Sequence, residues 1–518
     1  MSKLRILIIE DQENWQNQLK VLVQRLGPVE WDIAENPETA ADYINGRKYD
    51  LAIVDLLLAT GGFEVSEDTA IDLKLLQAIR ESQSNQSCAV IVLSGYGNSA
   101  RTREALLEYG AFDFIEKNSF KAARLIDTLG LALFQARQKV AVERAAKRYR
   151  FVVQMGHERL LGCELTGPGM RSSYSAINPP QIDIRDLARR TDNLNLLIEN
   201  GSVDTWRSEA RSLGNATYGM LGQDPRILSD LRTAQALAKP TDDLWLEFSG
   251  PTTSLGAPFE LLRDSDYLTF AHVMTRRLVL PNSTSLHNVQ PFHVIVEKLL
   301  KEKKRIKVLV VGANSDGEIP TAETEAETVG DLIKNQLKHY ATDSEVTVLC
   351  GKQAEYSNVC DALSSGGYHI FHYAGHGEVD EALPESSGLV LREQGKLRML
   401  TAATINMLVR NSSLALAYLS CCFGARSDSA VGRGDFSGML EAFAQADVPM
   451  ALGFRWSVGD DSALSIAETF HSSLWRCLSP GESLLNARRA AAISADGRDD
   501  DSWASPVLLM QNSDAIVR

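Results

Sequence analysis

The sequence lacks an apolar run near its start long enough for a signal peptide or membrane helix: Leu4-Arg5-Ile6-Leu7-Ile8-Ile9 stops at Glu10 and Asp11. A membrane helix needs ~20 residues, so the expectation is a cytoplasmic protein with no membrane partner. Paired cysteine motifs are also missing. The seven cysteines (Cys88, Cys163, Cys350, Cys360, Cys421, Cys422 and Cys477) are odd in number and show no CxxC spacing, which excludes a disulfide framework and a zinc knuckle. Positive charge is in deficit, with 53 Lys and Arg against 67 Asp and Glu and a net charge of -14. A phosphate backbone would be repelled, and no recognition helix with basic flanks is evident, so no nucleic-acid partner is expected. At 44% apolar and 23% charged residues the chain is too apolar for a disordered one. Its 518 residues exceed what one core usually supports and imply two or three domains.

The first 125 or so residues alternate short apolar runs with amphipathic stretches, the βαβα pattern of a parallel sheet covered by helices. The runs are Leu4 to Ile9, Trp31 to Ala34, Leu51 to Val54, Ala89 to Leu93 and Phe112 to Ile115. Trp15, Leu19, Leu22, Val23 and Leu26 recur at helical spacing as one stripe. Ligands of such sheets collect at the carboxyl ends of the strands. Those ends carry Glu10 and Asp11, then Asp55, Ser94 and Lys117. Three converging carboxylates need a hard cation between them, and Mg²⁺ is the natural one. Asp55 is then the nucleophile, because a carboxylate can attack a phosphoryl group while a lysine offsets the charge on the transferred oxygens.

These five positions, in this order, resemble the response-regulator receiver family. The resemblance implies a doubly wound, flavodoxin-like α/β fold and an aspartyl phosphate at Asp55. It also implies Mg²⁺ held by Glu10, Asp11 and Asp55, and a switch through Ser94, Lys117 and the aromatic Phe114. A sensor histidine kinase or another phosphodonor is the implied partner. Two departures stand out: Asn118 follows the lysine where the family usually has proline, and the loop after Asp55 is long, running through Gly61, Gly62, Glu64, Glu67 and Asp68.

From Lys121 to Arg150 glycine occurs once, at Gly130, and proline not at all, while Leu125, Leu129, Leu133, Ala136 and Val140 keep helical intervals. One long helix or two in succession are predicted. The distal part is basic (Arg137, Lys139, Arg144, Lys147, Arg148 and Arg150). It reads either as a solvated face or as a signalling helix that transmits receiver state or mediates a homodimer.

A second α/β pattern follows a mixed region, with Ile306 to Val311 as a strand and an acidic amphipathic helix around Glu323 to Leu337. Two further strands end in reactive residues. Tyr368 to Ala374 leads into Gly375-His376-Gly377, and Leu414 to Leu419 leads into Ser420-Cys421-Cys422-Phe423-Gly424. An imidazole near a thiol can take its proton, and an amide beside glycine can approach an oxyanion unhindered. The separation of 46 residues between His376 and Cys422 is close to the roughly 50 of caspase-type enzymes. Cys421 offers a second sulfur at the same place. His372 raises the different reading of a metal site with His376 and a cysteine, although strand rise would part the two histidines by roughly 13 Å unless the chain turns.

Across roughly 151–518 the chain resembles the CHAT family of caspase-like, clan CD peptidases. The likeness lies in Pro258-Phe259-Glu260-Leu261-Leu262, Ala374-Gly375-His376-Gly377, Leu419-Ser420-Cys421-Cys422, Gly453 to Asp461 and Ser502-Trp503-Ala504. The resemblance implies a caspase-like α/β domain, His376 as general base, Cys422 as nucleophile, and the amides of Gly377 and Cys422 as oxyanion donors. It also implies a substrate strand over Phe454 to Ser457, including Trp456. Asp435, Asp460 and Asp461 are candidates to line a pocket for a basic side chain. Where the family prefers a small residue before its nucleophile, this chain has Cys421.

The expected organisation is a receiver domain over 1–127, a helical linker over 128–150, the N-terminal part of a CHAT region over 151–290 as an extra subdomain, and a caspase-like catalytic part over 291–518. The expected function is a phosphorylation-regulated cysteine peptidase acting on a protein substrate in a two-component pathway. The alternative is a receiver-controlled signalling scaffold that cuts nothing.

Overall fold

The computed structural model describes residues 4–56, 58, 71–95, 105–176, 181–238, 244–279, 290–340, 344–365, 367–380, 383–422, 437–456, 458–493 and 502–511. The long loop after Asp55, Asp435 and most of the segment after Cys422 lie outside them. Two compact units are present: residues 1–141 with 297–306 and 333–344, and residues 142–296 with 307–332 and 345–518.

The first unit contains five parallel strands, β1 (Leu4–Ile9), β2 (Val29–Ala34), β3 (Leu51–Val54), β4 (Ala89–Ser94) and β5 (Asp113–Glu116). Their order is β2-β1-β3-β4-β5. Alternation sorts the side chains. Leu7, Ile9, Ala52, Val54, Val90 and Val92 face a core closed by α2 (Pro37–Gly46) and α3 (Ile71–Glu81). Ile6, Ile8, Leu51, Ile53, Ile91 and Leu93 face α1 (Glu13–Val23) and the start of α4 (Ala122–Lys147). Strands buried on both sides account for the continuous apolar runs. The region after the sheet is one helix, not two in succession. Its distal basic residues are partly paired: Arg148 lies 2.6 Å from Glu482, and the Arg148 guanidinium sits 3.8 Å from the centre of the Trp245 ring.

The second unit is organised on an eleven-stranded sheet. Its strands are β6 (Tyr149–Gly156), β7 (Arg159–Gly167), β8 (Met170–Ser175), β9 (Leu244–Gly250), β10 (Val273–Leu278), β11 (Ile306–Ala313), β12 (Ser344–Cys350) and β13 (Ile370–Gly375). A separate three-stranded sheet holds β14 (Gly377–Glu378), β15 (Gly388–Glu393) and β16 (Lys396–Thr401). The large sheet is completed by β17 (Leu416–Cys422), β18 (Met450–Phe454) and β19 (Pro506–Met510), in the order β12-β11-β13-β17-β18-β19-β10-β9-β6-β7-β8. The strands of 151–290 therefore continue the sheet of 291–518. The helices of the C-terminal half include α5 (Thr321–Lys338), α6 (Asp460–Cys477) and α7 (Pro480–Ile493).

The Pro258–Leu262 segment earns its residues by packing. Phe259 stacks on Phe248 at 3.7 Å between ring centres, and Glu260, 2% exposed, is the hub of a buried ion cluster. It pairs with Arg276, with Arg455 at 3.8 Å and with Arg488 at 4.0 Å. Burial alone would push the Glu260 carboxyl up, but three guanidiniums together hold it below its ordinary range. Three separate sequence segments thus meet at one carboxylate.

Candidate functional site

In the first unit the strand ends bring the expected residues together. Lys117 Nζ lies 2.6 Å from Asp55 Oδ2 and 2.7 Å from Glu10 Oε2. Asp55 is 2% exposed and Ser94 fully buried. Phe114 is buried on β5. Burial pushes the Glu10 carboxyl up, against the opposing pull of the Lys117 ammonium. Glu10, Asp11 and Asp55 each offer a carboxylate oxygen, all within 4.8 Å of one another. Such a hard, all-oxygen donor set fits Mg²⁺, which takes one or two carboxylates and keeps waters. After Lys117 the chain closes a 3₁₀ turn over Lys117–Ser119, so Asn118 is accommodated at that turn.

In the second unit β13 and β17 are adjacent and parallel, in a register that pairs Ala374 with Ser420. His376 follows Gly375, the last residue of β13, and Cys422 is the last residue of β17, past an irregularity in that strand's register with β18. Adjacent strands lie ~4.8 Å apart, so β13 and β17 end on the same edge of the sheet. Gly375 makes the turn at the β13 tip possible: its φ is +156°, and a Cβ there would lie 2.7 Å from Tyr373 Oη and 2.8 Å from the Ala313 carbonyl. The His376 carbonyl then accepts from Tyr373 Oη at 2.8 Å and from the Val390 amide at 3.0 Å. These bonds fix the backbone that carries the imidazole. Gly377 opens β14 and pairs with Leu389.

Asp316, which the sequence reading missed, lies beside the imidazole, with His376 Nε2 3.0 Å from Asp316 Oδ2. Its other oxygen accepts from the Glu318 amide at 3.0 Å. The two groups are within ion-pair distance, but among the described residues Nε2 has no hydrogen bond of good geometry, so the carboxylate does not by itself fix the tautomer of the ring. The signal was available in principle, because Asp316 follows β11, the strand next to β13. Asp316, Glu318 and His376 also gather ligand atoms within 4.8 Å.

His372 does not turn toward His376. It is wholly buried, with Nε2 3.0 Å from Glu325 Oε1 and Nδ1 3.1 Å from His471 Nε2. Ser420 Oγ donates to Glu325 Oε2 at 3.0 Å. Burial pushes Glu325 up to about 8 and His372 down to about 3.

The remaining candidates fall outside this cluster. Asp460 and Asp461 are exposed in the first turn of α6, where carboxylates favour the helix dipole; Asp460 accepts from Thr321 Oγ1 at 2.6 Å. Trp456 is 1% exposed and packs on Trp206 at 6.5 Å between ring centres. Cys421 is buried. Among the described residues no helix is long and apolar enough to cross a membrane.

Comparison with known proteins agrees with this division. A response regulator receiver domain model matches residues 6–129 and a CHAT domain model matches residues 211–511. A signal receiver domain from Clostridium thermocellum is 20% identical, covering 26% of this chain and 98% of its own, with a TM-score of 0.23. A receiver domain of a putative Luxo repressor from Vibrio parahaemolyticus is 26% identical, covering 27% and 98%, with a TM-score of 0.23. The receiver domain of sensor histidine kinase PA1611 from Pseudomonas aeruginosa PAO1, described with a magnesium ion coordinated in its active site cleft, is 20% identical, covering 24% and 92%, with a TM-score of 0.20. No curated protein matches the chain. The five-stranded parallel sheet is the receiver, and the larger α/β unit, matched over more than half of the sequence, makes the chain a member of the CHAT domain family with a response regulator receiver domain ahead of it.

Proposed function

We propose that this chain is a cysteine peptidase controlled by phosphorylation of its receiver. One observation supports the reading: β13 and β17 are neighbouring parallel strands, and His376 follows the first while Cys422 ends the second. His376 takes the Cys422 thiol proton, and the thiolate attacks the scissile carbonyl of a protein substrate. The Gly377 and Cys422 amides hold the developing oxyanion. His376 then returns the proton to the leaving amine, and water cleaves the resulting thioester to free the enzyme. Asp435, Asp460 and Asp461 are the proposed substrate-side residues, and the buried Trp456 packs on Trp206 in the core.

In the receiver, the Asp55 carboxylate attacks the phosphorus of a histidine kinase or small phosphodonor, and the donor's bond to phosphorus breaks. Glu10, Asp11 and Asp55 would hold Mg²⁺, which when bound neutralises charge on the phosphoryl oxygens. Lys117 shares that role, while Ser94 and Phe114 report the phosphorylated state to the rest of the fold. The protein is proposed to act in the cytoplasm, with a homodimer forming through the receiver or α4.

The test compares new protein termini generated in a lysate by the wild-type chain and by Cys422→Ala, each with and without phosphodonor and Mg²⁺. Termini that need Cys422 and change in number with phosphodonor support the reading. Equal fragmentation by both chains defeats it and leaves a scaffold. Asp55→Asn should remove both the phosphoryl group and the response to phosphodonor.

A further inference from the structure

Four polar side chains from four elements meet in the core beneath the strand tips. Glu325 comes from α5, His372 from β13, Ser420 from β17 and His471 from α6. His372 and His471 are fully buried, Glu325 is 5% exposed and Ser420 8%. Buried polar groups on this scale are costly unless satisfied, and a satisfied network specifies one geometry. Glu325 uses its two oxygens on the two strands that carry the dyad: Oε1 faces His372, four residues before His376, and Oε2 accepts from Ser420, two residues before Cys422.

Resting on the peptidase reading, we propose that Glu325 is the positioning residue of the dyad, clamping β13 to β17 through His372 and Ser420 and so fixing the distance between the two tips. Two proton orders satisfy the three contacts and differ in whether Glu325 carries a proton; the first keeps the acid neutral. In it Ser420 donates to Glu325, a protonated Glu325 donates to His372 Nε2, and His372 Nδ1 donates to His471 Nε2. The charged groups around Glu325 favour the protonated carboxyl. His372, His471 and Ser420 contribute no positive charge, Tyr418 is held un-ionised by burial, and Asp460 on α6 adds repulsion to any carboxylate charge. Ionisation would remove the hydrogen that Glu325 gives His372 and force both histidines to exchange tautomers.

Glutamine reproduces the protonated acid, with a carbonyl for Ser420 and an amide hydrogen for His372, whereas alanine supplies neither. The experiment measures alkylation of Cys422 by iodoacetamide at pH 6.5, with the modified sulfur located by mass spectrometry. An imidazole-paired thiolate reacts readily there, while an unassisted thiol with a pKa of about 8.5 reacts about 100-fold more slowly. His376→Ala should fall to the slow rate; if it matches wild type, the dyad itself is wrong. Glu325→Ala should also fall to the slow rate while retaining its near-UV circular dichroism, and Glu325→Gln should recover most of the loss. Across pH 7 to 9.5 wild-type cleavage should decline through about 8, and Glu325→Gln should lack that limb. A folded Glu325→Ala that alkylates like wild type, or a Glu325→Gln as slow as alanine, overturns the proposal. Should alanine fail to fold, the glutamine arm decides: an alkaline limb unchanged from wild type refutes it.

Discussion

Replacing Glu260 by glutamine removes one charge and almost no volume, so it isolates the electrostatics of the buried cluster. Arg276 is in direct contact with the carboxylate, and Arg455 and Arg488 reach it at 3.8 and 4.0 Å. At an effective dielectric constant near 20 each pair at about 4 Å is worth roughly 4 kcal/mol of attraction. Much of that is offset by the cost of desolvating the ions. What the variant exposes is the uncompensated remainder, three buried guanidiniums with no carboxylate, a loss of about 3–5 kcal/mol. Backbone acceptors limit the damage: Arg455 keeps its bond to the Gly256 carbonyl at 2.8 Å, and Arg276 and Arg488 keep theirs to Leu255 and Pro506. At roughly 2 °C per kcal/mol for a unit of this size, Glu260→Gln should lower the melting temperature of the second unit by about 6–10 °C. Differential scanning calorimetry separates that transition from the receiver's. The same linkage fixes a sign. Because the folded pKa of Glu260 lies below its unfolded value, its contribution is present above the unfolded pKa and lost as pH falls through the folded one. The variant's deficit should therefore shrink in acid. A melting temperature within about 1 °C of wild type at neutral pH would show that the cluster does not stabilise the unit as argued.

Other consequences can be checked separately. Gly375→Ala should abolish cleavage, since φ of +156° and oxygens at 2.7 and 2.8 Å leave no room for a methyl group; a variant as active as wild type would mean that the β13 tip yields freely. Asp316→Ala should lower kcat by ~100-fold with little change in KM, as expected if the carboxylate 3.0 Å from the His376 ring positions it; equal losses in both constants would refute that role. Burial lowers His272 to about 4 from 6.5, so its contribution to stability is present above 6.5 and lost as pH falls toward 4. His272→Asn should accordingly flatten the pH dependence of the urea midpoint between those values, and an unchanged slope would exclude His272 as a source of acid lability.

Much of the architecture was legible because local and global signals agree. Leu4–Ile9 and Leu51–Val54 are strands over the residues their apolar runs mark, and Gly130 does not interrupt α4. The polar receiver residues stand out in sequence because each lies at or within two residues of a strand end. Other features needed coordinates. Asp316 and Glu325 are ordinary acidic residues in sequence, and only the adjacency of β11, β13 and β17 brings them to the imidazole and the two clamped strands. Glu260 stands in a motif that marks the family, yet its partners Arg455 and Arg488 lie almost 200 residues or more away, and no periodicity links them. His372 illustrates the limit of spacing arguments, because its distance from His376 excludes a shared ion without disclosing what the ring does instead.

The pairing of β10 with β19 bears on how this protein can be dissected. A fragment that begins near residue 291 would keep His376 and Cys422 but strip β19 of its neighbour, opening an apolar edge to any passing strand. Soluble expression of the CHAT part should require the polypeptide from β6 onward, and shorter fragments should be recovered as aggregates.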